Sequence, residues 1–503
     1  MIVAQDRDTA SMPTLSPLGS PILATRWLPK LRVALVSEKI VTAGLYFLIV
    51  TTPLAFGTVE PWSIAIAEVV IFAIALAWGL RMVALHEIQL ERTPLNLCLL
   101  LVLGLGLLQV LPLPLQVIRI LSPKAYAFYR ETSFDSELSA SWRTLSLYPY
   151  ATKQELIRLL ALALLFWVVA NYFRTREQVD RIVRLIMAMG FVLAVFAIVQ
   201  HFTGNGKLYW IRELTHGGML FGPYVNRNHF AGYMEMVIPL TLGYVVANKR
   251  SQSDVTNWRE RVLRWGSPQA SWSLLTIFGG LIMMTALLLS GSKAGLLSFL
   301  GSMIFFALFP SIGRFHAKRW WGFLALFLVL GFAYALWLKP DRALQPFAIL
   351  WLGSDDPSAH SRLLVWQDTL RLGRDYCWTG TGLNTFSWAF PLYKRPVSGQ
   401  YFYTHAENDY LQAFAEGGLP LVAILAIALL WGAAQLLSAW LESQRSYTRG
   451  VGLGLLAALV AILLHSASDF NLHIMANAIL FVILLALAHR ILVFGCPRDT
   501  ALN

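Results

Sequence analysis

Apolar residues along this chain are grouped into long runs that are separated by short polar or basic stretches. A helix needs about 20 mostly apolar residues to cross the hydrocarbon core of a bilayer. Twelve runs approach that length: residues 40–56, 63–85, 95–111, 156–173, 182–202, 229–247, 273–289, 294–309, 321–338, 419–441, 451–465 and 474–493. The pattern therefore predicts an all-α polytopic membrane protein with about 12 transmembrane helices.

Lys and Arg are concentrated in alternate connections between these runs. The opposite short loops, residues 57–62, 290–295 and 466–473, contain Lys293 as their single basic residue. Because cytoplasmic loops carry the excess of Lys and Arg in membrane proteins, both termini are predicted to be cytoplasmic. The longer segments 112–155, 203–228 and 339–418 are then predicted to lie outside.

This topology divides the chain into five predicted parts. Residues 1–39 are a flexible cytoplasmic tail, residues 40–338 hold transmembrane helices 1–9, and residues 339–418 form a large external loop domain between helices 9 and 10. Residues 419–493 hold helices 10–12, and residues 494–503 are a second cytoplasmic tail.

The composition agrees with a membrane protein. Hydrophobic residues make up 57% of the chain and charged residues only 14%, against about 25% charged in typical globular domains. Basic cytoplasmic loops explain the net charge of +12, so membrane lipids are the expected surroundings and no nucleic-acid partner is predicted. Cys98, Cys377 and Cys496 fall in a span, outside and inside. No disulfide, metal site or cofactor is therefore predicted.

A small set of ionisable side chains falls in or beside the predicted spans on one side of the membrane. Charge at such positions is costly and points to function. The topology places them all on the external side, so one site can gather them. They are Arg227, Lys293, Arg362, His405, Glu407 and Asp469.

Structural roles are the alternative for several of these residues. Arg227 can mark a helix start or bind a lipid headgroup, and Lys293 can anchor its turn by snorkelling. His465 and Asp469 have i, i+4 spacing and can satisfy each other. Glu235 lies eight residues after Arg227 on the same helix face, so the two can form an ion pair.

The chemistry of the set favours a phosphate-containing substrate. Arg offers a planar fork to phosphate oxygens and Lys offers a point charge, while a carboxylate or an imidazole can move a proton. Arg362 opens an amphipathic stretch, residues 361–370, where anion binding and a surface salt bridge are both expected of it. The Gly-Thr-Gly sequence at residues 380–382 can let the backbone approach a ligand.

Residues 405–419, His-Ala-Glu-Asn-Asp-Tyr-Leu-Gln-Ala-Phe-Ala-Glu-Gly-Gly-Leu, resemble the signature of the O-antigen ligase and polymerase superfamily. In that signature a His/Asn-Tyr-Leu-Gln segment runs into Glu-x-Gly-Leu at the start of a membrane helix. Three other pieces agree in order and spacing: Ser-Gly-Ser-Lys at 290–293, the Arg362 to Trp366 stretch followed by Gly-Thr-Gly, and Asp469. The resemblance covers roughly residues 220–475.

The resemblance implies a metal-independent glycosyltransferase of the bacterial inner membrane whose active site faces the periplasm. Such enzymes move a glycan from undecaprenyl diphosphate to an acceptor saccharide, to lipid A–core or to protein, with inversion as the expected outcome. The external loop domain would then be periplasmic.

The family's residues carry over to this chain with two changes. Lys293 stands where the family has Arg in a Ser-Arg-Gly-like turn, and Arg362 is the Arg of the loop helix; with Arg227 they would hold the diphosphate. The family's catalytic His falls on Glu407, so either Glu407 or His405 is the base, and Asp469 would orient the base or the acceptor.

A transporter or flippase of lipid-linked glycans is the alternative function, because it also requires about twelve spans and charges within the membrane. A structural scaffold for envelope assembly is a third class. Against transport, the charges cluster at one face and one external segment dominates. Ligase and polymerase are not distinguished by these residues, since the two share donor and chemistry and differ in the acceptor.

Overall fold

The structure is a computed structural model that describes residues 21–88, 90–132, 142–214, 219–248, 268–312, 317–338, 357–395 and 402–493. The long helices of this part are α1 (Pro21–Leu54), α2 (Pro61–Leu85), α3 (Pro94–Val110), α6 (Pro149–Tyr172), α7 (Arg176–Thr203), α8 (Arg227–Asn248), α9 (Pro268–Ser290), α10 (Lys293–Ile312), α11 (Ala317–Leu338), α12 (Pro357–Asp375), α14 (Asp409–Glu442), α15 (Ser446–His465) and α16 (Met475–Ala488). The short elements are β1 (Leu113–Pro114), α4 (Leu115–Leu121), α5 (Pro123–Thr132), β2 (Trp142–Arg143) and α13 (Phe386–Ala389), with 3₁₀ turns at Phe390–Leu392 and Asn471–His473. A π-helical turn, His489–Val493, follows α16.

The predicted all-α polytopic membrane fold is confirmed. Each of the twelve apolar runs coincides with a helix, and ten helices of the described residues are long and apolar enough to cross a membrane. Pro94–Val110 and Leu324–Leu338 are shorter apolar helices. The number of spans, as distinct from the number of apolar helices, stays a prediction.

Several helices begin earlier than their apolar runs. Residues 21–39, predicted to be a flexible tail, belong to α1, because their Leu, Ala, Lys and Arg residues favour helix even though the basic ones end the apolar run. Prolines at the first positions of α2, α3 and α6 mark the true helix starts. The remaining tail residues, 1–20 and 494–503, lie outside the described residues, as do residues 339–356 and 396–401 of the predicted loop domain.

Helix α8 is at the centre of the bundle. Its hydropathy is the lowest among the ten candidate spans, yet 89% of its apolar window is buried. Small residues bring it against α15: a Cβ added to Gly243 would lie 2.5 Å from the Gly450 oxygen, and one added to Gly454 would lie 2.7 Å from the Pro239 oxygen. Since lipid supplies no hydrophobic drive between helices, such close backbone packing is what holds the pair together.

The end of the bundle where α8 begins and α15 ends is called the loop end.

A second hydrophobic core lies apart from the bundle core and joins two distant segments of the chain. The β1–β2 pairing, Leu113 with Arg143 and Pro114 with Trp142, holds the first segment in an antiparallel ladder. The core residues are Ile118, Ala125, Leu145, Val365, Leu372, Tyr376, Phe386, Ala389, Phe390, Ala406 and Ala415. The described part of the loop domain predicted at 339–418 thus shares its core with Ile118, Ala125 and Leu145.

Helix α14 is broken at Gly418, whose φ of 65° is left-handed. The nine residues before the break form a short helix that turns towards the second core, and the predicted span starts directly after it, at Leu419. Gly380 packs against this break so closely that a Cβ on it would lie 2.0 Å from the Glu416 oxygen. The Thr381 and Gly382 amides donate to Ala415 and Glu416 carbonyls there.

Gly454→Ala is expected to lower the stability of the bundle by about 1–3 kcal/mol, because the added methyl overpacks the α8–α15 contact. Gly79→Ala is the matched control, since a Cβ at that helical position meets nothing within 4 Å. The measurement is the thermal unfolding midpoint of each purified variant in detergent. Equal midpoints for the two variants would show that the close helix contact is not limiting.

Candidate functional site

Arg362 and Glu407 meet at the loop end. The guanidinium Nη2 of Arg362 lies 3.5 Å from Oε2 of Glu407. The indole Nε1 of Trp366, one turn further along α12, donates to the Glu407 carbonyl at 3.2 Å. Helix α12 begins at Pro357 rather than at Ser361, so Arg362 lies in its second turn and not at its opening. Helix α12 therefore contacts Glu407 in two ways: through the charge of Arg362 and through the hydrogen bond from Trp366 to the Glu407 backbone.

Glu407 has a backbone and an environment that are unusual for a carboxylic acid. Its φ of 54° lies in the left-handed region, which costs free energy and is typical of functional positions. Its side chain is 24% exposed. Burial, reinforced by the negative charge of Asp469 and opposed by Arg362, raises the pKa of Glu407 to about 7. A carboxylate of that pKa can accept a proton near neutral pH.

Asp469 is fully buried in the connection between α15 and α16. Asn228 donates to its Oδ2 at 2.7 Å, and the Nε2 of His229 lies 3.4 Å from its Oδ1. Burial alone would raise the pKa of Asp469, but the imidazole of His229, followed by His465 and Arg362, holds it well below its usual range. Asp469 is therefore a fixed negative charge whose field reaches both Arg362 and Glu407.

Lys293 and Arg227 are the first residues of α10 and α8, and both begin their helices at the loop end. Gly295, two residues after Lys293, packs against α8 and α15: a Cβ there would lie 2.6 Å from Ala231 Cβ and 3.4 Å from His465 Cε1. Arg227 directly precedes Asn228, the donor to Asp469. The backbone thus brings both cations to the same region as Arg362, Glu407 and Asp469.

His405 lies in a different environment from Glu407, although the two are neighbours in sequence. Its ring stacks on Phe470 at 4.2 Å and its Nδ1 lies 3.3 Å from the amide oxygen of Gln412. Burial and the nearby charge of His473 hold the pKa of His405 well below its usual value. It is a neutral imidazole held by the short helix of α14.

His473 is the cationic counterpart of His405. Its Nδ1 donates to Asp409 at 2.8 Å. Burial opposes its charge, but the Asp409 carboxylate, with help from Glu416 and Glu155, raises the pKa of His473 to about 9. Phe470 separates His405, His473 and Asp409 from Asp469, because the Phe470 ring packs on both His405 and His229.

One expectation from the sequence is wrong. Glu235 does not pair with Arg227 along α8; its Oε1 lies 3.0 Å from Nδ1 of His465 on α15. The Gly-Thr-Gly turn packs against the broken helix, as the contact of Gly380 with Glu416 shows, and its approach to a ligand stays a prediction. The i, i+4 pair of His465 and Asp469 is present, with Nε2 and Oδ2 4.0 Å apart.

Sequence reasoning missed the residues that position this region. Gln109 of α3 is buried and donates to the carbonyls of Thr379 and Glu416, both at 2.8 Å. Glu416 accepts from the amides of Asn384 and Phe386. The available signals were the polar Gln109 inside an apolar run and Glu416 just before a helix break. Neither signal indicates which residues are its partners.

Part of the chain is similar to a known protein family. Residues 278–426 match the family model described as O-antigen ligase. The resemblance to the O-antigen ligase and polymerase superfamily is confirmed. The match includes Lys293, Arg362, His405 and Glu407 and ends before Asp469; it supports a glycosyltransferase role of the O-antigen ligase and polymerase kind. No curated protein matches the chain.

The His473–Asp409 pair makes stability depend on pH. Because the pKa of His473 is raised from 6.5 to about 9 in the folded protein, its contribution is complete below about pH 6.5 and is lost as the pH rises through about 9. The thermal unfolding midpoint is expected to fall between these values more steeply in wild type than in His473→Gln. Parallel curves for the two proteins would contradict the assignment.

Proposed function

We propose that this protein is an inner-membrane glycosyltransferase that moves a glycan from an undecaprenyl-diphosphate carrier to an acceptor saccharide on the periplasmic side. The observation that carries the proposal is the pairing of Arg362 with Glu407 within the field of the buried Asp469, at the end of the bundle where α8 and α10 begin with Arg227 and Lys293. The donor is a lipid diphosphate, and the acceptor is a saccharide such as lipid A–core or a further repeat unit.

The reaction is a single displacement at the anomeric carbon of the donor sugar. An acceptor hydroxyl forms the new glycosidic bond while the bond to the diphosphate breaks, so the anomeric centre inverts. Negative charge grows on the leaving diphosphate, and Arg362, Lys293 and Arg227 stabilise it without a metal ion. The proton of the hydroxyl passes to the base.

Glu407 is the proposed base. It contacts Arg362 directly, is partly open to solvent, and has a pKa of about 7, which suits proton transfer at neutral pH. His405 is bonded to Gln412 and stacked on Phe470, away from Arg362. Asp469 orients the base and keeps its pKa raised.

Aromatic side chains suit the acceptor. Trp378 and Trp388 in the part of the loop domain that the structure describes are 66% and 60% exposed. The Trp388 ring lies 4.6 Å from that of Tyr148, which immediately precedes α6. Exposed aromatic faces of this kind stack on sugar rings, and they are also favoured at the membrane interface.

Arg362→Ala is expected to lower glycan transfer by at least about 10²-fold, because it removes a donor that acts on the developing charge. Arg362→Lys should recover part of the rate, since it keeps the charge but not the fork. The assay is formation of new glycosidic product in proteoliposomes that contain lipid-diphosphate-linked oligosaccharide and acceptor, with and without EDTA.

Arg374→Ala is the matched control, because this arginine is an exposed residue in the last turn of the same helix. Full activity of Arg362→Ala would overturn the diphosphate site, and loss of activity with EDTA would overturn the metal-independent reaction. Movement of the lipid-linked glycan across the bilayer without new product would identify a transporter.

Glu407→Gln and His405→Gln are expected to differ. The first removes the base and should lower transfer by about 10²–10⁴-fold, whereas the second keeps a hydrogen-bonding side chain beside Gln412 and should retain most activity. Transfer rates at saturating acceptor measure the difference. The reverse order of activities would assign the base to His405.

A further inference from the structure

A chain of buried ionisable groups runs from Asp469 into the bundle. The Oδ2 of Asp469 lies 4.0 Å from Nε2 of His465, and the Nδ1 of His465 lies 3.0 Å from Oε1 of Glu235. All three side chains are 0% exposed. The imidazole therefore lies between two carboxylates, one on α8 and one in the connection after α15.

The network of Asp469, His465 and Glu235 is not a fully paired structural network. Among the described residues, Oε2 of Glu235 and Nδ1 of His229 are buried without a hydrogen-bond partner, as are Ser466 Oγ and Asn471 Nδ2 in the connection after α15. The Nε2 atoms of His229 and His465 contact Asp469 at 3.4 and 4.0 Å, which is too long or too poorly directed for a hydrogen bond. Networks kept only for stability have their polar atoms paired, so the unpaired atoms indicate that this network has a role besides stability.

We propose that Glu235 and His465 are positioning residues that set how far the negative charge of Asp469 is offset and, through it, the pH range in which Glu407 accepts a proton. The inference rests on the proposed function, because it assigns the proton acceptor to Glu407. It assigns no contact with substrate to Glu235 or His465. Both act through Asp469, whose connection is bonded to the segment that carries Glu407: the next residue, Asn408, donates to the Ala467 carbonyl at 2.7 Å, and the Asp469 charge acts on Glu407.

The direction of each effect follows from charge. Asp469 raises the pKa of Glu407 by repulsion, and positive charge on His465 or His229 offsets that repulsion. Removing an imidazole therefore strengthens the repulsion, whereas removing the Asp469 charge abolishes it. Charged and titratable groups of the packed elements are His229 and Glu235 of α8, His465 of α15, Arg362 of α12, Arg227 and Lys293 at the starts of α8 and α10, Glu407, and His405, Asp409 and His473 beside Phe470.

The experiment is the pH profile of glycan transfer in proteoliposomes, with the full-length protein. Activity requires ionised Glu407, so the profile falls on its acid side through the Glu407 pKa. His465→Gln and His229→Gln should each move this acid limb to higher pH by about half to one unit, and Asp469→Asn should move it to lower pH by a similar amount. Two histidine variants are used so that one can fail to fold without loss of the test.

His489→Gln is the matched control, since His489 is a buried imidazole beyond the opposite end of α16, bonded to the Leu485 carbonyl; its acid limb should coincide with that of wild type. In a Glu407→Gln background with residual activity, His465→Gln should no longer shift the profile. Acid limbs that stay in place in both histidine variants, or that move in the same direction as in Asp469→Asn, overturn the inference. The proposed function fails separately, if wild type makes no glycosidic product.

Discussion

The buried negative charge of Asp469 is the interaction on which the loop end of the bundle depends. An ionised carboxylate without solvent is costly unless donors and positive charges surround it. Its partners come from two helices that are far apart in sequence, Asn228 and His229 on α8 and His465 on α15. Glycines bring α8 and α15 into backbone contact further along the two helices, and this close packing favours the meeting of these groups. The same two helices, α8 and α15, thus provide both the close packing of the bundle and the partners of Asp469.

The broken helix α14 supplies the other side of the site. Its first nine residues carry Asp409, Gln412 and Glu416 on one face. The Asp409 side chain accepts from His473, that of Gln412 accepts from the Ala406 amide, and that of Glu416 accepts from the Asn384 amide. The left-handed Gly418 lets the helix turn into the membrane without losing these bonds. Glu407 lies directly before this segment, held by Trp366 and Arg362. A strained backbone at Glu407 is tolerated because the surrounding structure determines its position.

Apolar runs predicted the helices well, since the bilayer demands a minimum length of apolar helix whatever the tertiary contacts are. The helix starts were missed because helix propensity and N-terminal prolines extend each helix into polar sequence, as in residues 21–39 and at Pro149. The second core could not be predicted, because nothing in the pattern shows that Ile118 and Leu145 pack with Val365 and Phe386. Topology and the cost of charge were enough to predict that Arg362, Glu407 and Asp469 converge. Partner choice was not predictable: Glu235 finds His465 across a helix interface rather than Arg227 on its own helix.

The pairing of Arg362 with Glu407 explains why the proposed diphosphate reaction needs more than one cation. Arg362 holds Glu407 towards its ionised form in the resting site, yet in the proposed reaction it must also hold the leaving diphosphate. A diphosphate drawn to Arg362 brings negative charge close to Glu407, which raises the pKa of that carboxyl and favours its protonated, inactive form. Further positive charge at the starts of α8 and α10 offsets this effect, and so does any cation that weakens the field of Asp469. In the proposed reaction, Arg227, Lys293 and the two imidazoles beside Asp469 would therefore supply the positive charge that an anionic donor and an acidic base require of a single site.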